Sequence, residues 1–193
     1  PSRKAQTPEA SREEDLTITP KTTLDDLAFI VSTQLDRAGI TAVLSGGGAA
    51  TVYAPEAYQS RDLDFILGLW SSLSVSNQPL LDLGFIEGNS SYKHPASPFT
   101  VEFPKGPLAI GDEVITDWDT LHRGELLLHI LNPTDCVRDR LAWFVYNNDF
   151  SGLSQAVGVA LYQTVDLERI ETWCMKENAR QKFLIFQENL QAR

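Results

Sequence analysis

The chain has 193 residues, enough for one globular domain with a hydrophobic core, or for such a domain with a small helical appendage. Its 26 acidic residues outnumber its 16 basic residues, and the net charge of -10 disfavours broad tracking of a DNA or RNA backbone. No apolar run approaches the ~18 residues that a membrane-spanning helix needs. Because no basic stretch followed by an apolar one opens the sequence, the expected location is the cytoplasm.

The first half of the chain predicts an arm, a helix and two strands. Residues 1–20 are polar and indicate a flexible arm. From Thr23, apolar residues recur every three or four positions until Gly39, which predicts a helix. The segment ITAVLS (Ile40–Ser45) is typical of a buried strand, and GGGAATVY after it predicts a tight turn into a second helix. LDFILGL (Leu63–Leu69) predicts the next strand.

The second half predicts short strands and then helices. A connection and a short helix near Leu80–Leu83 precede strands that glycine and proline interrupt. These strands are expected near Phe85, at Ser91–His94, at Phe99–Phe103, and in AIGDEVI and ELLLHIL. Asn132-Pro133 predicts a helix start. Helices are expected at Pro133–Tyr146, Leu153–Thr164, Leu167–Lys176 and Ala179–Leu190. The predicted organisation is therefore an α/β domain over residues 21–131 and a helical region over residues 132–193.

Two aspartates on the second strand indicate a metal site. Alternate side chains of a strand share a face, so Asp62 and Asp64 are expected to point the same way, about 6.6 Å apart along the chain. Neighbouring carboxylates repel each other, and a cation relieves that repulsion. An alternative interpretation is a solvated strand start with Arg61 as the ion partner.

The glycines after the first strand indicate a phosphate site. Gly46 and Gly47 stand between a strand and a helix, where free backbone amides can receive a phosphate without meeting a Cβ atom. Tight packing of the helix on the strand is the alternative. The Lys-Ser/Thr ending of a P-loop and the third glycine of a Rossmann turn are both missing from this segment, which disfavours those two nucleotide folds.

These motifs together resemble a known superfamily. LSGGGAATVYAPEAYQSRDLDFIL is similar to the signature of the DNA polymerase β-type nucleotidyltransferases, in which a Gly-Gly or Gly-Ser turn and a short helix precede an Asp/Glu-x-Asp/Glu strand. ILNPTDCVRDRLAWFVYNND resembles the helix that follows the catalytic sheet in small bacterial members, including relatives of abortive-infection toxins. The resemblance implies an α/β (α+β) fold, with a nucleotidyltransferase-like mixed β-sheet, flanking helices and a helical C-terminal region.

The resemblance also implies the site residues. A third carboxylate is expected on a neighbouring strand, and Glu102 in PFTVEFP is the best candidate, with Asp112 and Glu113 as rivals. An exposed glutamate on an edge strand is the alternative for Glu102. The implied catalytic residues and ligands of Mg²⁺ (or Mn²⁺) are Asp62, Asp64 and Glu102. The implied nucleotide-binding residues are Ser45, Gly46, Gly47, Gly48 and Arg61.

The implied activity is transfer of a nucleoside monophosphate from a nucleoside triphosphate to a protein, small-molecule or RNA acceptor. A catalytically inactive nucleotide-binding regulatory protein, or one component of a toxin-antitoxin pair, is the main alternative, and a purely structural interaction domain is another. Convergence of Glu102 with the two aspartates distinguishes the enzyme from these.

Other polar and aromatic residues are expected to have structural roles. Arg138 and Arg140 are interpreted as surface charges, and the tryptophans, including Trp70, as packing residues. Packing is also expected for Cys136 and Cys174.

Overall fold

A computed structural model describes residues 16–68 and 77–192, which form seven helices and nine strands. In chain order they are α1 (Leu24–Arg37), β1 (Ala42–Ser45), α2 (Gly46–Tyr53), β2 (Asp62–Leu67), α3 (Gln78–Asp82), β3 (Ile86–Glu87), β4 (Ser91–Lys93), β5 (Thr100–Glu102), β6 (Ala109–Ile110), β7 (Glu113–Val114), β8 (Asp119–Arg123), β9 (Leu126–Ile130), α4 (Pro133–Asn147), α5 (Phe150–Tyr162), α6 (Leu167–Lys176) and α7 (Arg180–Gln191). Most of the predicted arm lies outside the described residues, as do Leu69 and Trp70. Ile18, at the described end of that arm, packs against the core.

Seven of the strands form one mixed sheet in the order β3-β4-β5-β2-β1-β9-β8. The pairs β2–β5 and β1–β9 are parallel, and the other four neighbouring pairs are antiparallel. Strands β6 and β7 form a separate hairpin. The predicted α/β fold is therefore correct. Strand β8 was not predicted, because its mostly exposed sequence DTLHR lacks an apolar stripe.

The two faces of the sheet have different environments. On one face Leu44, Leu63 and Phe65 are fully buried beneath α1 and α2. The opposite face carries Ser45, Asp62 and Asp64, because side chains alternate along a strand. Helix α2 lies between the sheet and helices α4 and α5. The sheet on one side and helices α4 and α5 on the other therefore hold the turn from β1 into α2.

The helical C-terminal part continues the core of the sheet. The predicted boundary at residues 131–132 falls between β9 and α4, and buried residues on both sides of it form one hydrophobic cluster. The Asn132 side chain accepts a hydrogen bond from the Asp135 amide, so the predicted start of α4 is confirmed. Cys136 and Cys174 are both buried, as expected for packing residues. No helix among the described residues is both long and apolar enough to cross a membrane.

A buried ion-pair network joins the β6–β7 hairpin to the C-terminal helices. Arg138 is only 1% exposed, and its guanidinium pairs with Asp135 at 2.6 Å and with Glu113 at 2.5 Å. Arg169 also pairs with Asp135, at 3.0 Å. The interpretation of Arg138 as a surface charge was therefore wrong, since its position three residues after Asp135 on α4 turns both side chains inward. Glu113, a rival of Glu102 for the third carboxylate, is bound by Arg138 in this network.

Replacing Arg138 tests this network. Arg138→Met should lower the free energy of unfolding by about 3 kcal/mol, because it leaves Asp135 buried with only Arg169 as a counter-charge. Arg123 pairs with Asp25 and Asp26 at the surface, so Arg123→Met should cost less than about 1 kcal/mol. Urea denaturation of the two variants and wild type gives both values. Equal losses would contradict a special role for the buried pair.

Candidate functional site

The strand register brings the three predicted carboxylates together. Asp62 and Asp64 lie two residues apart on β2 and so share a face of the sheet. In the parallel β2–β5 pair, Asp64 stands opposite Glu102, and Asp62 stands opposite Thr100. Ser45 at the end of β1 faces Asp64 from the other side. The face therefore carries three carboxylates next to the start of α2.

This crowding changes the acidity of Asp64. Its pKa is raised to about 6 from an ordinary value of 3.8, mainly by burial and next by the negative charges of Asp62 and Glu102. The guanidinium of Arg140 acts against them, and the carboxylate of Asp139 acts with them. The site therefore holds an excess of negative charge that a cation would neutralise.

The glycine turn is shaped around Asp64. Gly46 has a φ of +67°, and a Cβ atom there would lie 2.6 Å from the Asp64 Oδ2 atom. Both the backbone conformation and the close approach favour glycine at this position. A Cβ atom at Gly48 would lie 3.2 Å from the Asp62 carbonyl oxygen and from Leu44. Tight packing, the alternative interpretation of the glycines, thus accounts for Gly48.

An aspartate from α4 binds the start of α2. The Gly46 amide donates a hydrogen bond to the Asp139 carboxylate at 3.1 Å. The first amides of a helix have no partner within the helix, so Asp139 satisfies one of them. The Ser45 hydroxyl instead donates to the Asp64 carbonyl oxygen at 3.2 Å. The predicted phosphate site therefore depends on the amides of Gly47 and Gly48, the next two residues of the helix.

Sequence reasoning missed this contribution of α4. Arg140 holds the Asp139 carboxylate with its Nε atom at 3.0 Å and its Nη2 atom at 2.7 Å. Arg140 is 9% exposed, so its interpretation as a surface charge was wrong. The available signal was the pair of an acid and a base at adjacent positions of a helix whose buried residues include Cys136, Val137 and Leu141. Arg61 is exposed, and among residues 16–68 and 77–192 it pairs with no carboxylate.

The donor set suits a hard divalent cation. Carboxylate oxygens are the ligands that Mg²⁺ and Mn²⁺ prefer, and Asp62, Asp64 and Glu102 supply them from one face. In the described part of the chain, however, no three of these side chains lie close enough together to hold a metal ion. Mutual repulsion favours such a spread arrangement of carboxylates. The residues fit a metal chemically, and holding one requires their side chains to turn inward.

Comparison with known proteins supports the fold. The chain is similar to a solved structure described as an antigenic nucleotidyltransferase-like protein from Paracoccidioides brasiliensis, with a TM-score of 0.61 and 13% sequence identity. The match covers 92% of this chain and 96% of the other. No family model and no curated protein matches the sequence. The fold is therefore nucleotidyltransferase-like, as the resemblance implied, and at this identity the similarity concerns the fold alone.

The raised pKa of Asp64 predicts a pH-dependent stability. Between about pH 3.8 and 6 the folded protein holds more protons than the unfolded chain, so stability present at low pH is lost as pH rises through about 6. In the absence of metal and above pH 7, the free energy of unfolding of Asp64→Asn should exceed that of wild type by roughly 1–2 kcal/mol, after allowance for partial solvent screening. Near about pH 4 the two free energies should be equal. Urea denaturation in chelator-treated buffer measures this, with Asp117→Asn as the exposed control. A pH-independent difference would contradict the crowding.

Substitution of Gly46 separates backbone strain from the contact with Asp64. Gly124 also has a positive φ, of +59°, but nothing lies within 4 Å of its Cβ position. Gly124→Ala should therefore cost about 1 kcal/mol for the backbone alone. Gly46→Ala should cost at least about 1 kcal/mol more, because the Asp64 carboxylate must move. Thermal or urea denaturation compares them, and equal losses would show that Gly46 does not shape the site.

Proposed function

We propose that this protein is a metal-dependent nucleotidyltransferase that moves a nucleoside monophosphate from a nucleoside triphosphate to an acceptor. The observation that carries the proposal is the cluster of Asp62, Asp64 and Glu102 on one sheet face beside the glycine turn of α2. A structural domain would gain nothing from three adjacent carboxylates that repel each other. The nucleotidyltransferase-like fold is consistent with this activity.

In the proposed site Asp62, Asp64 and Glu102 hold Mg²⁺ or Mn²⁺. When bound, the metal supplies positive charge that stabilises the triphosphate and makes an acceptor hydroxyl more acidic. The amides of Gly47 and Gly48 receive the phosphates at the helix N-terminus, beside Ser45 and the Gly46 turn. Arg61, exposed next to Asp62, is free to move toward the phosphates. These groups position the substrate and neutralise its charge.

The transfer is a substitution at phosphorus. An acceptor oxygen forms a bond to the α-phosphorus while the bond from that phosphorus to the bridging β-phosphate oxygen breaks. Pyrophosphate carries away the bonding electrons. The acceptor's proton passes to a carboxylate oxygen of Glu102, the general base in this scheme. No serine, cysteine or histidine nucleophile is required, and the acceptor class at this stage comprises a protein side chain, a small molecule or an RNA end.

Two observations favour a second candidate, a catalytically inactive nucleotide-binding regulatory protein. The Gly46 amide already donates to Asp139, and among the described residues the carboxylates do not form a group that could hold a metal ion. Such a protein would bind nucleotide and release no pyrophosphate. We propose one half of a toxin-antitoxin pair as a biological setting for this second candidate, on the resemblance of the sequence to relatives of abortive-infection toxins.

Ligand-induced stabilisation tests whether the carboxylates bind metal and nucleotide. Mg²⁺ with a nucleoside triphosphate should raise the melting temperature of wild type, because a ligand that binds the folded state stabilises it. At about 100 times the Kd the gain is about 2.7 kcal/mol. Asp64→Asn should remove most of this gain, whereas Asp117→Asn should retain it. Equal shifts in all three proteins would place the metal elsewhere.

A second substitution separates transfer from binding. Glu102→Gln should leave nucleotide affinity within about threefold, since that change is below about 1 kcal/mol. It should lower pyrophosphate release by about a hundredfold or more, because charge stabilisation in the transition state is lost. The control is Glu125→Gln, at an exposed turn between β8 and β9. Nucleotide titration and labelled pyrophosphate release give the two values. If wild type bound nucleotide through Asp62 and Asp64 but released none with any acceptor, the regulatory candidate would replace the enzyme.

A further inference from the structure

We propose that an apolar groove beside the carboxylates binds the acceptor, and that the acceptor is a small molecule with an uncharged ring or alkyl body and a reactive hydroxyl. This inference rests on the proposed function and names its second substrate. The groove has a volume of about 300 Å³, at the lower end of small-molecule sites and too small for a folded partner or an RNA strand. Its apolar walls include Val43, Ile66, Leu108, Val114, Ile115 and Trp118.

The groove lies on the same sheet face as the candidate site. Val43 stands opposite Ile66, and the next same-face pair along these strands is Ser45 opposite Asp64. Ile66 is two residues beyond Asp64, so about 6.6 Å of strand separates them. A molecule in the groove can therefore extend a hydroxyl to the carboxylates without leaving the sheet.

The order along the strands assigns the groove to the acceptor. Helix α2 begins directly after Ser45, and the groove lies in the other direction, toward the beginning of β1 at Val43. In phosphoryl substitution the attacking and leaving oxygens are roughly in line with phosphorus. If pyrophosphate leaves toward the amides of α2, the acceptor attacks from the groove side. In this arrangement the acceptor occupies the groove, and the nucleobase of the donor nucleotide lies outside it.

The lining determines the chemistry of the occupant. None of the described lining residues is charged, so the groove offers neither a cation for a phosphate backbone nor an anion for a polyamine. Apolar side chains stabilise an uncharged body by removing its surface from water. Trp118, partly buried with its ring against His129 at 6.5 Å, supplies a flat surface for a ring.

The outer wall of the groove is fixed in place. Val114 follows Glu113, whose carboxylate is bound by the buried Arg138. The Ile115 amide donates a hydrogen bond to the Leu108 carbonyl oxygen at 2.9 Å, which closes the hairpin behind the groove. A wall anchored in this way is formed before the ligand arrives, so little free energy is lost in ordering it.

The first test uses the uncharged fluorescent probe N-phenylnaphthylamine. Wild type should bind it at one saturable site. Thr116→Trp, which adds a ring at an exposed position on the groove wall, should weaken binding by about tenfold or more, equivalent to about 1.4 kcal/mol. Val114→Asp should do the same by adding a charge. Leu161→Trp, on α5 away from the groove, is the matched control and should bind like wild type. Equal affinity for the probe in wild type and in both groove variants would overturn the proposal.

The second test asks whether donor and acceptor bind together. Saturating Mg²⁺ and nucleoside triphosphate should leave the affinity for N-phenylnaphthylamine unchanged within about threefold. Displacement of the probe by nucleotide would overturn the proposal by assigning the groove to the nucleobase. Phenylbutanol should stimulate pyrophosphate release more than ethanol, which has the hydroxyl without the apolar body, and Thr116→Trp should abolish this advantage. Equal stimulation by the two alcohols would also overturn it.

The two hypotheses fail in different ways. Asp64→Asn should lose stabilisation by Mg²⁺ and nucleotide while it binds N-phenylnaphthylamine normally. If wild type showed no response to Mg²⁺ and nucleotide but bound the probe, the proposed function would be wrong and the acceptor role with it. If wild type responded to nucleotide but bound no probe, the proposed function would stand and the acceptor groove alone would be wrong.

Discussion

The structure around the glycine turn accommodates the repulsion among three carboxylates, which the register of β2 and β5 places side by side. Because β2 and β5 are parallel with Asp64 opposite Glu102, and Asp62 precedes Asp64 by two residues, three negative charges share one partly buried face. Two features of the surroundings accommodate them. Gly46 leaves room for the Asp64 carboxylate, and Arg140 on α4 supplies a positive charge that lowers the pKa of Asp64. Without a cation the arrangement costs stability, and this cost supports the proposal that the carboxylates bind one.

The C-terminal helices contribute to this site as well as to the core. Asp139 on α4 binds the first amide of α2 and is itself held by Arg140. Arg138, one residue earlier, turns the other way and fixes the β6–β7 hairpin through Glu113. One segment of α4 thus connects the glycine turn, the carboxylates and the wall of the apolar groove. A change in α4 is therefore expected to affect both nucleotide binding and the groove.

Much of this architecture was predictable from local sequence patterns. The glycine turn, the Asp-x-Asp strand and the capped start of α4 each have a short-range chemical signature, and each appears where the pattern placed it. Strand β8 was missed because its pairing with β9, rather than an apolar pattern of its own, makes it a strand. Asp139 and Arg138 were missed because burial of a charged side chain depends on partners distant in sequence, such as Gly46 and Glu113. The register that places Glu102 opposite Asp64 is likewise a tertiary property, and only the family resemblance suggested it.

Locating the metal tests the proposed site most directly. A crystal of the protein grown with Mn²⁺ and a non-hydrolysable nucleoside triphosphate can be measured by anomalous diffraction at a manganese-sensitive wavelength. We expect an anomalous peak with oxygen ligands from Asp62, Asp64 and Glu102 at about 2.0–2.3 Å, and the triphosphate at the start of α2. We also expect the apolar groove beside the α-phosphate to be empty. Manganese bound only elsewhere, or a nucleotide whose base fills the groove, would contradict the proposed site.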